Sequence, residues 1–405
     1  MTEHDIRGRL PMIVILAVFL LVPSFDTALK YFGVIGVAAY FLVGTVVLFA
    51  TYRYFLPVFF SAVSEKAALY IAIALFIGLA ALAIYMWPIA NSGRVGSGSD
   101  ADDALLIAAN ELASGRYPYY VTTYLGNKIG PMPGSILLSL PFSLTGTIQL
   151  QNVFWLVIFF VTVRHYEKSS LAALALLALI LILSPTVLQN IATGIDYVAN
   201  SIFVMVFMWV LVRSAAADRS RLVFNGIASA GALGIALSSR STFFLLMPLL
   251  LSVLVQNTGW NNAIKYLSIS AGVFIAVTVP FWLYDPLGFA PLHIQGAKLT
   301  SVEGVLPFAS IIVPLSGAVL AIILSFQRMN KDCSRFFLNC AIVQLFVLIF
   351  TATLYSLKLH RLDLYMEQSG YGMFTLFFGV TAAWMYILRK YPESFVDARE
   401  PGLTA

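Results

Sequence analysis

The chain has 405 residues, 60% of them hydrophobic and only 11% charged, with a mean hydropathy of +0.89. A soluble domain is about 45–50% apolar and about 25% charged, so a soluble fold is excluded and the chain reads as an all-α polytopic membrane protein. The net charge of +5 is explained by membrane topology, and no nucleic-acid partner is expected. Cys333 and Cys340 fall on a cytoplasmic loop and the helix after it, without the clustered ligands that a metal site or disulfide framework shows.

Apolar runs lie near 10–25, 31–50, 67–89, 134–163, 170–183, 197–213, 222–238, 241–256, 266–283, 306–326, 336–356 and 370–388. A bilayer core of about 30 Å needs about 20 apolar residues per helix, which gives about 12 transmembrane helices in a single integral-membrane domain, 1–405. No small-residue cleavage site follows the first run, so it is a retained anchor. The fourth run is interrupted by the polar hinge TIQLQN, and is either a surface helix plus a span or one long broken helix.

Orientation follows from the positive-inside rule. With a cytoplasmic N-terminus, 16 of the 24 Lys and Arg residues fall inside and 8 outside. Both termini are therefore expected in the cytoplasm of an inner or plasma membrane. The external, periplasmic-type face then collects the polar segments: loop 91–133, the turn at Asp196, the SSRST turn with Arg240, the second external loop 284–305, and loop 357–370 with His360, Arg361, Asp363 and Glu367.

Loop 91–133 is the first and most polar of these. Asp100, Asp102 and Asp103 precede Ala104, Ile107, Ala108 and Leu112, which recur at helical spacing until Gly115 closes the helix. Negative charge suits a helix N-terminus, and Ser99 or Asp100 is a natural cap. Three aspartates in four residues exceed what a cap needs. A carboxylate in a partly dry pocket is a good general base, and Asp100 with Asp102 offers oxygen ligands to a divalent cation.

Tyr117, Tyr119, Tyr120 and Tyr124 follow, either as an interfacial aromatic belt or as a stacking surface for sugar rings with phenol donors. Lys128 is either a snorkelling lysine or a cation for a lipid phosphate. In the second loop Asp285, His293, Lys298 and Glu303 are candidates for substrate contact. Arg240, between two apolar runs, needs an anionic partner to offset burial: a bound phosphate, or Asp196 or Asp285 of the chain itself.

The acidic pair at Asp102-Asp103, the short helix, the Pro-Tyr at 118–119 and the Lys128…Pro131 lead into an apolar helix together resemble the membrane-embedded GT-C glycosyltransferases, in the mannosyl- and arabinosyltransferase-like branches. TGIDYVANS, the helix ending at Arg240, and VPFWLYDPLGF with Asp285 resemble later segments of that family, so the resemblance spans roughly 90–300. It departs in having three apolar runs before the loop, Asp instead of Glu as the second acid, and Lys-Ile-Gly-Pro in place of Lys-Pro-Pro.

The resemblance implies a helical bundle with juxtamembrane helices and a polyprenyl-phosphate-linked sugar as donor. It implies a glycan or glycolipid acceptor, and Asp102 as catalytic base with Asp103 beside it. Arg240, with Lys128 or Lys298, would hold the departing lipid phosphate, and no cofactor would be required beyond an optional divalent cation. Two other classes compete. An O-antigen-ligase or polymerase type enzyme would carry its large loop late in the chain. A transporter or flippase would show internal repeats and charges in mid-helix.

Overall fold

The computed structural model describes residues 3–92, 100–216, 220–329, 333–364 and 370–390. Among these there is no β-strand; Thr122 and Lys128 form an isolated bridge. The helices are α1 (Glu3–Leu21), α2 (Phe25–Ala50), α3 (Leu56–Ala62), α4 (Glu65–Ala90), α5 (Ala101–Ala113), α6 (Pro133–Leu144), α7 (Gln151–Glu167), α8 (Ser170–Leu183) and α9 (Pro185–Thr193). They continue as α10 (Tyr197–Ala215), α11 (Ser220–Leu237), α12 (Met247–Thr258), α13 (Trp260–Tyr284), α14 (Ala290–Thr300), α15 (Ala309–Ser325), α16 (Ser334–Leu359) and α17 (Met373–Lys390).

The N-terminal segment folds back on itself. Gly33 sits at φ 68 inside α2, a conformation that only glycine adopts without cost. The Phe25 ring lies 5.8 Å from Phe41, whereas sixteen residues of straight helix would separate them by about 24 Å. Leu21 likewise packs onto Gly44, where a Cβ would be 2.5 Å from its side chain. The apolar runs predicted at 10–25 and 31–50 are thus the two legs of a hairpin with its tip at Gly33.

α4 shows how the bundle meets lipid. Ala68, Ala72, Leu79 and Ala83 are buried along one stripe, while Tyr70, Ile71, Ile77, Ile84 and Tyr85 are exposed. Small residues on the packed stripe let backbones approach, and the apolar remainder suits hydrocarbon. α8 and α10 are instead buried nearly all round. The core is aromatic: Phe159 of α7 meets Phe377 of α17 at 5.3 Å, Trp209 of α10 meets Phe337 of α16 at 5.3 Å, and Phe337 meets Phe378 at 5.8 Å.

Among the described residues, seven helical segments are long and apolar enough to cross a membrane, with 11–62 counted once. Joining α8 to α9, which bend by 84° at Ser184-Pro185, makes eight. Four shorter apolar helices accompany them at Pro133–Leu144, Asn225–Leu237, Ala309–Ser325 and Met373–Arg389. The chain is an all-helical polytopic membrane protein. The run at 134–163 resolves into two helices, α6 and α7, joined by a short 3-10 turn.

A separate hydrophobic cluster holds the loops at one end. Leu105, Ala108 and Ala109 of α5 pack with Tyr119, Ile129, Ile136 of α6, and Phe289. Loop 91–133 and loop 284–305 therefore form one cap on the bundle.

A candidate site around Asp102 and Arg240

Asp102 lies in the first turn of α5 and is buried, only 3% exposed. Its Oδ2 accepts from Trp87 Nε1 at 2.9 Å and from Asn91 Nδ2 at 2.9 Å, both from the end of α4. Oδ1 is buried and meets no donor at strict hydrogen-bond geometry, while the backbone N–H groups of Asp102 and Asp103 also favour the ionised carboxylate. Burial pushes the carboxyl above its ordinary pKa, against the opposing pull of the Trp87 and Asn91 donors. A carboxylate with one committed and one uncommitted oxygen, and a raised pKa, is chemically a base.

The other two aspartates are used differently. Asp100 occupies the helix N-cap position but makes no side-chain capping bond, so the expected cap by Asp100 is not formed. Its Oδ2 instead accepts from Thr123 Oγ1 at 2.5 Å and Asn127 Nδ2 at 2.8 Å, tying the tyrosine loop to the start of α5. Ser99, the other expected cap, lies outside the described residues. Asp103 Oδ2 accepts from the Tyr124 backbone N–H at 3.0 Å. Asp100 and Asp102 thus turn their carboxylates to separate donor sets. Among the described residues no three His, Cys, Asp or Glu side chains gather as a metal site.

The turn between α9 and α10 lies against Asp102. Gly194, at φ 76, approaches so closely that a Cβ there would be 3.2 Å from the Asp102 Cβ and from the Trp87 ring. Two residues on, buried Asp196 accepts from Ser135 Oγ of α6 at 2.6 Å, Asn200 Nδ2 at 2.8 Å and Arg240 Nη2 at 2.9 Å. Gln151 and Asn152 of the TIQLQN hinge hold this turn: Gln151 Nε2 donates to Gly194 O at 3.2 Å, and Asn152 Nδ2 to Ile195 O at 2.7 Å. The hinge is polar because it satisfies a buried turn.

Of the partners predicted for Arg240, Asp196 is the one found, at 2.9 Å with both side chains buried. The guanidinium also lies 5.0 Å from the Tyr197 ring centroid, and its Nε has no partner. Burial is the largest single influence and works against the charge, but the Asp196 carboxylate together with Tyr197 and Tyr371 holds the guanidinium above its ordinary pKa. Tyr197 stands 5.8 Å from Tyr371, and Lys298 Nζ lies 5.5 Å from the Tyr371 ring. Lys298, Tyr371, Tyr197, Arg240 and Asp196 form a continuous column, and Asp100 is within electrostatic reach of Tyr197.

The remaining predicted residues have local roles. Tyr117 OH donates to Phe281 O at 2.8 Å and its ring stacks on Tyr284 at 4.9 Å; burial raises its pKa to about 12. Tyr119 OH donates to Pro131 O at 3.1 Å, and burial pushes its pKa well up. Asp285 accepts from the backbone N–H of Gly288 at 2.9 Å and of Leu287 at 3.1 Å, bonds that hold its pKa down. His293 Nε2 is 3.1 Å from Pro286 O, Glu303 accepts from Ser310 Oγ at 2.5 Å, and Lys128 is exposed. Arg361 reaches Asp363 at 3.9 Å. Glu367 lies outside the described residues.

Sequence reasoning overlooked Trp87, Asn91, Ser135 and Asn200. Trp87-Pro88 and Asn91 stand at the end of an apolar run, where an interfacial tryptophan is ordinary. Only the fold-back of α5 gives them a carboxylate. No family model, curated protein or solved structure matches the chain.

Proposed function

We propose that the chain is a membrane glycosyltransferase that moves a sugar from a polyprenyl-phosphate donor to a hydroxyl on a glycan or glycolipid acceptor, with inversion. The carrying observation is Asp102: a buried carboxylate with a raised pKa, one oxygen fixed by Trp87 and Asn91 and the other uncommitted. In this reading Oδ1 takes the acceptor hydroxyl proton as that oxygen attacks the anomeric carbon from the face opposite the phosphate. The bond from the anomeric carbon to the phosphate oxygen breaks, and the leaving lipid phosphate takes the electron pair. Arg240 has donors beyond the one used by Asp196, and with Lys298 it stabilises that charge.

The proposed topology has twelve crossings: the two legs of the Gly33 hairpin, α4, α7, the bent pair α8–α9, α10, α11, α12, α13, α15, α16 and α17. α6 lies along the surface. Both termini are then cytoplasmic and the Asp102 face is external, in keeping with the distribution of Lys and Arg.

The test is transfer from radiolabelled polyprenyl-phosphate sugars to a membrane extract, with and without chelator, comparing wild type with Asp102→Asn and Asp100→Asn. Loss of transfer in Asp102→Asn alone supports the reading. Full activity in both variants, or no transfer from any donor, sinks it. The chelator arm decides whether a divalent cation is used.

One observation favours a second reading, a transporter or flippase. The 84° break at Ser184-Pro185 leads directly to the buried Asp196–Arg240 pair, and broken helices carry the binding sites of many transporters. Substrate uptake into proteoliposomes that persists in Asp102→Asn would support it.

A further inference from the structure

Beside the start of α5 stands a short turn, 122–128, that carries more support than a connection needs. Thr122 and Lys128 bridge its base. Thr123 N donates to Asn127 O at 2.9 Å, and Gly126 N to Thr123 O at 2.9 Å. Two carboxylates then fix the turn from outside: Asp100 Oδ2 accepts from Thr123 Oγ1 and Asn127 Nδ2, and Asp103 Oδ2 accepts from the Tyr124 N–H. Thr123 is buried, while the tip is left out, with Tyr124 59% exposed.

An exposed ring on a backbone held this firmly is preorganised, because little freedom remains to be lost on binding. Asp103 follows Asp102 directly, their α-carbons about 3.8 Å apart, so the turn is fastened one residue from the candidate base. The turn at Gly194 approaches Asp102 as well. Three aspartates in four residues thus divide into one base and two supports.

The surroundings of the ring select its ligand. The Tyr124 phenol is within electrostatic reach of Asp100, Asp102 and Asp103, against which the turn sets one cation, Lys128 at its base. That field repels an anionic head group. Exposed Thr122 and Asn127 beside the ring are poor neighbours for hydrocarbon. A neutral saccharide suits the place: its C–H face lies on an aromatic ring, and its hydroxyls donate to carboxylates.

We propose that Tyr124 is the platform for a sugar ring of the acceptor and sets the requirement for a cyclic saccharide there, with Asp100 and Asp103 as positioning residues. The inference deepens the transferase reading and rests on it only in naming that saccharide the acceptor.

The experiment uses the full chain carrying Asp102→Asn, in a detergent without a sugar head, so that no transfer intervenes. Saturation-transfer NMR is read on the methyl pyranosides of glucose, mannose and galactose, with open-chain sorbitol as control. At least one glycoside should show ring C–H saturation about fivefold above sorbitol. Tyr124→Phe should keep that signal, Tyr124→Leu should lose it, and Thr123→Val, which loosens the turn from Asp100, should weaken it. With Asp102 restored, Tyr124→Leu should raise the acceptor KM about five- to tenfold with little change in kcat, a split that a loss of folded protein does not produce. No glycoside above sorbitol, or a signal unchanged in Tyr124→Leu, would overturn the proposal. Tyr124 is exposed, so that variant carries the test even where Thr123→Val fails to fold. Glycoside binding at Tyr124 with no transfer from any donor would sink the transferase reading alone, and transfer with no glycoside contact at Tyr124 would sink this proposal alone.

Discussion

Trp87 Nε1 donates to Asp102 Oδ2 at 2.9 Å, fastening the end of α4 to the first turn of α5. That bond favours the ionised carboxylate, while burial favours the neutral acid. Trp87→Phe keeps the apolar bulk and removes the donor, so the Asp102 pKa should move further up. With an ionised Asp102 as base, the acid limb of the pH–rate profile for transfer should shift to higher pH in this variant. An unmoved limb, or one shifted to lower pH, would detach Asp102 from the rate.

Asp102 should also make the fold less stable at neutral pH. Its folded pKa lies above its unfolded value, so the unfolded carboxyl loses its proton first as pH rises. Stability then falls between the two values and stays lowered above them. Asp102→Asn carries no charge and so lacks this penalty, and its carbonyl can still accept from Trp87 and Asn91. The variant should melt higher than wild type at neutral pH. The advantage should vanish below about pH 4, the ordinary aspartate range, where both forms are neutral. A lower melting temperature at neutral pH would contradict the burial argument.

The sequence made the helices and the acidic loop legible, because apolar runs and an aspartate-rich helix start are one-dimensional signals. It paired Arg240 with Asp196 as one option among three, since any buried guanidinium needs an anion and several were near in the topology. It did not give the Asp102 setting. Trp87 and Asn91 lie 15 and 11 residues upstream, across a polar segment that carries no register. It also assigned Asp100 the cap role by local rule, whereas loop residues Thr123 and Asn127 compete for that carboxylate and win. The tyrosines read either as an interfacial belt or as a sugar-stacking surface with phenol donors; the sequence did not show that Tyr117 and Tyr119 donate their hydroxyls to the carbonyls of Phe281 and Pro131.

The Asp196–Arg240 pair should show strong coupling. Both side chains are buried, so removing either strands the other as an unpaired charge, at a cost of about 3–5 kcal/mol. Arg240→Met and Asp196→Asn should each lower thermal stability sharply. The double variant, with no charge left to strand, should lose much less than the sum of the two. Simple additivity in the double-mutant cycle would mean that the pair does not interact in the folded protein.

At the opposite end of α4, Glu65 should prove a structural residue. α8 begins with Ser170 and Leu171, whose backbone N–H groups have no carbonyl of their own helix to bind. Glu65 Oε2 accepts from Ser170 N at 2.6 Å and Leu171 N at 3.3 Å, and Oε1 accepts from Ser169 Oγ at 2.8 Å. The cap thus comes from another helix, and it joins two segments about a hundred residues apart in sequence. Negative charge at this position also suits the N-terminal end of the α8 dipole. Glu65→Ala should therefore lower stability by about 1–2 kcal/mol, and Glu65→Gln by less, since its amide oxygen can still accept. Transfer measured in matched amounts of folded protein should stay unchanged in both, because Glu65 lies at the far end of α4 from Trp87. Equal losses in the two variants would assign the effect to the carboxylate's charge at the α8 N-terminus instead of to its hydrogen bonds.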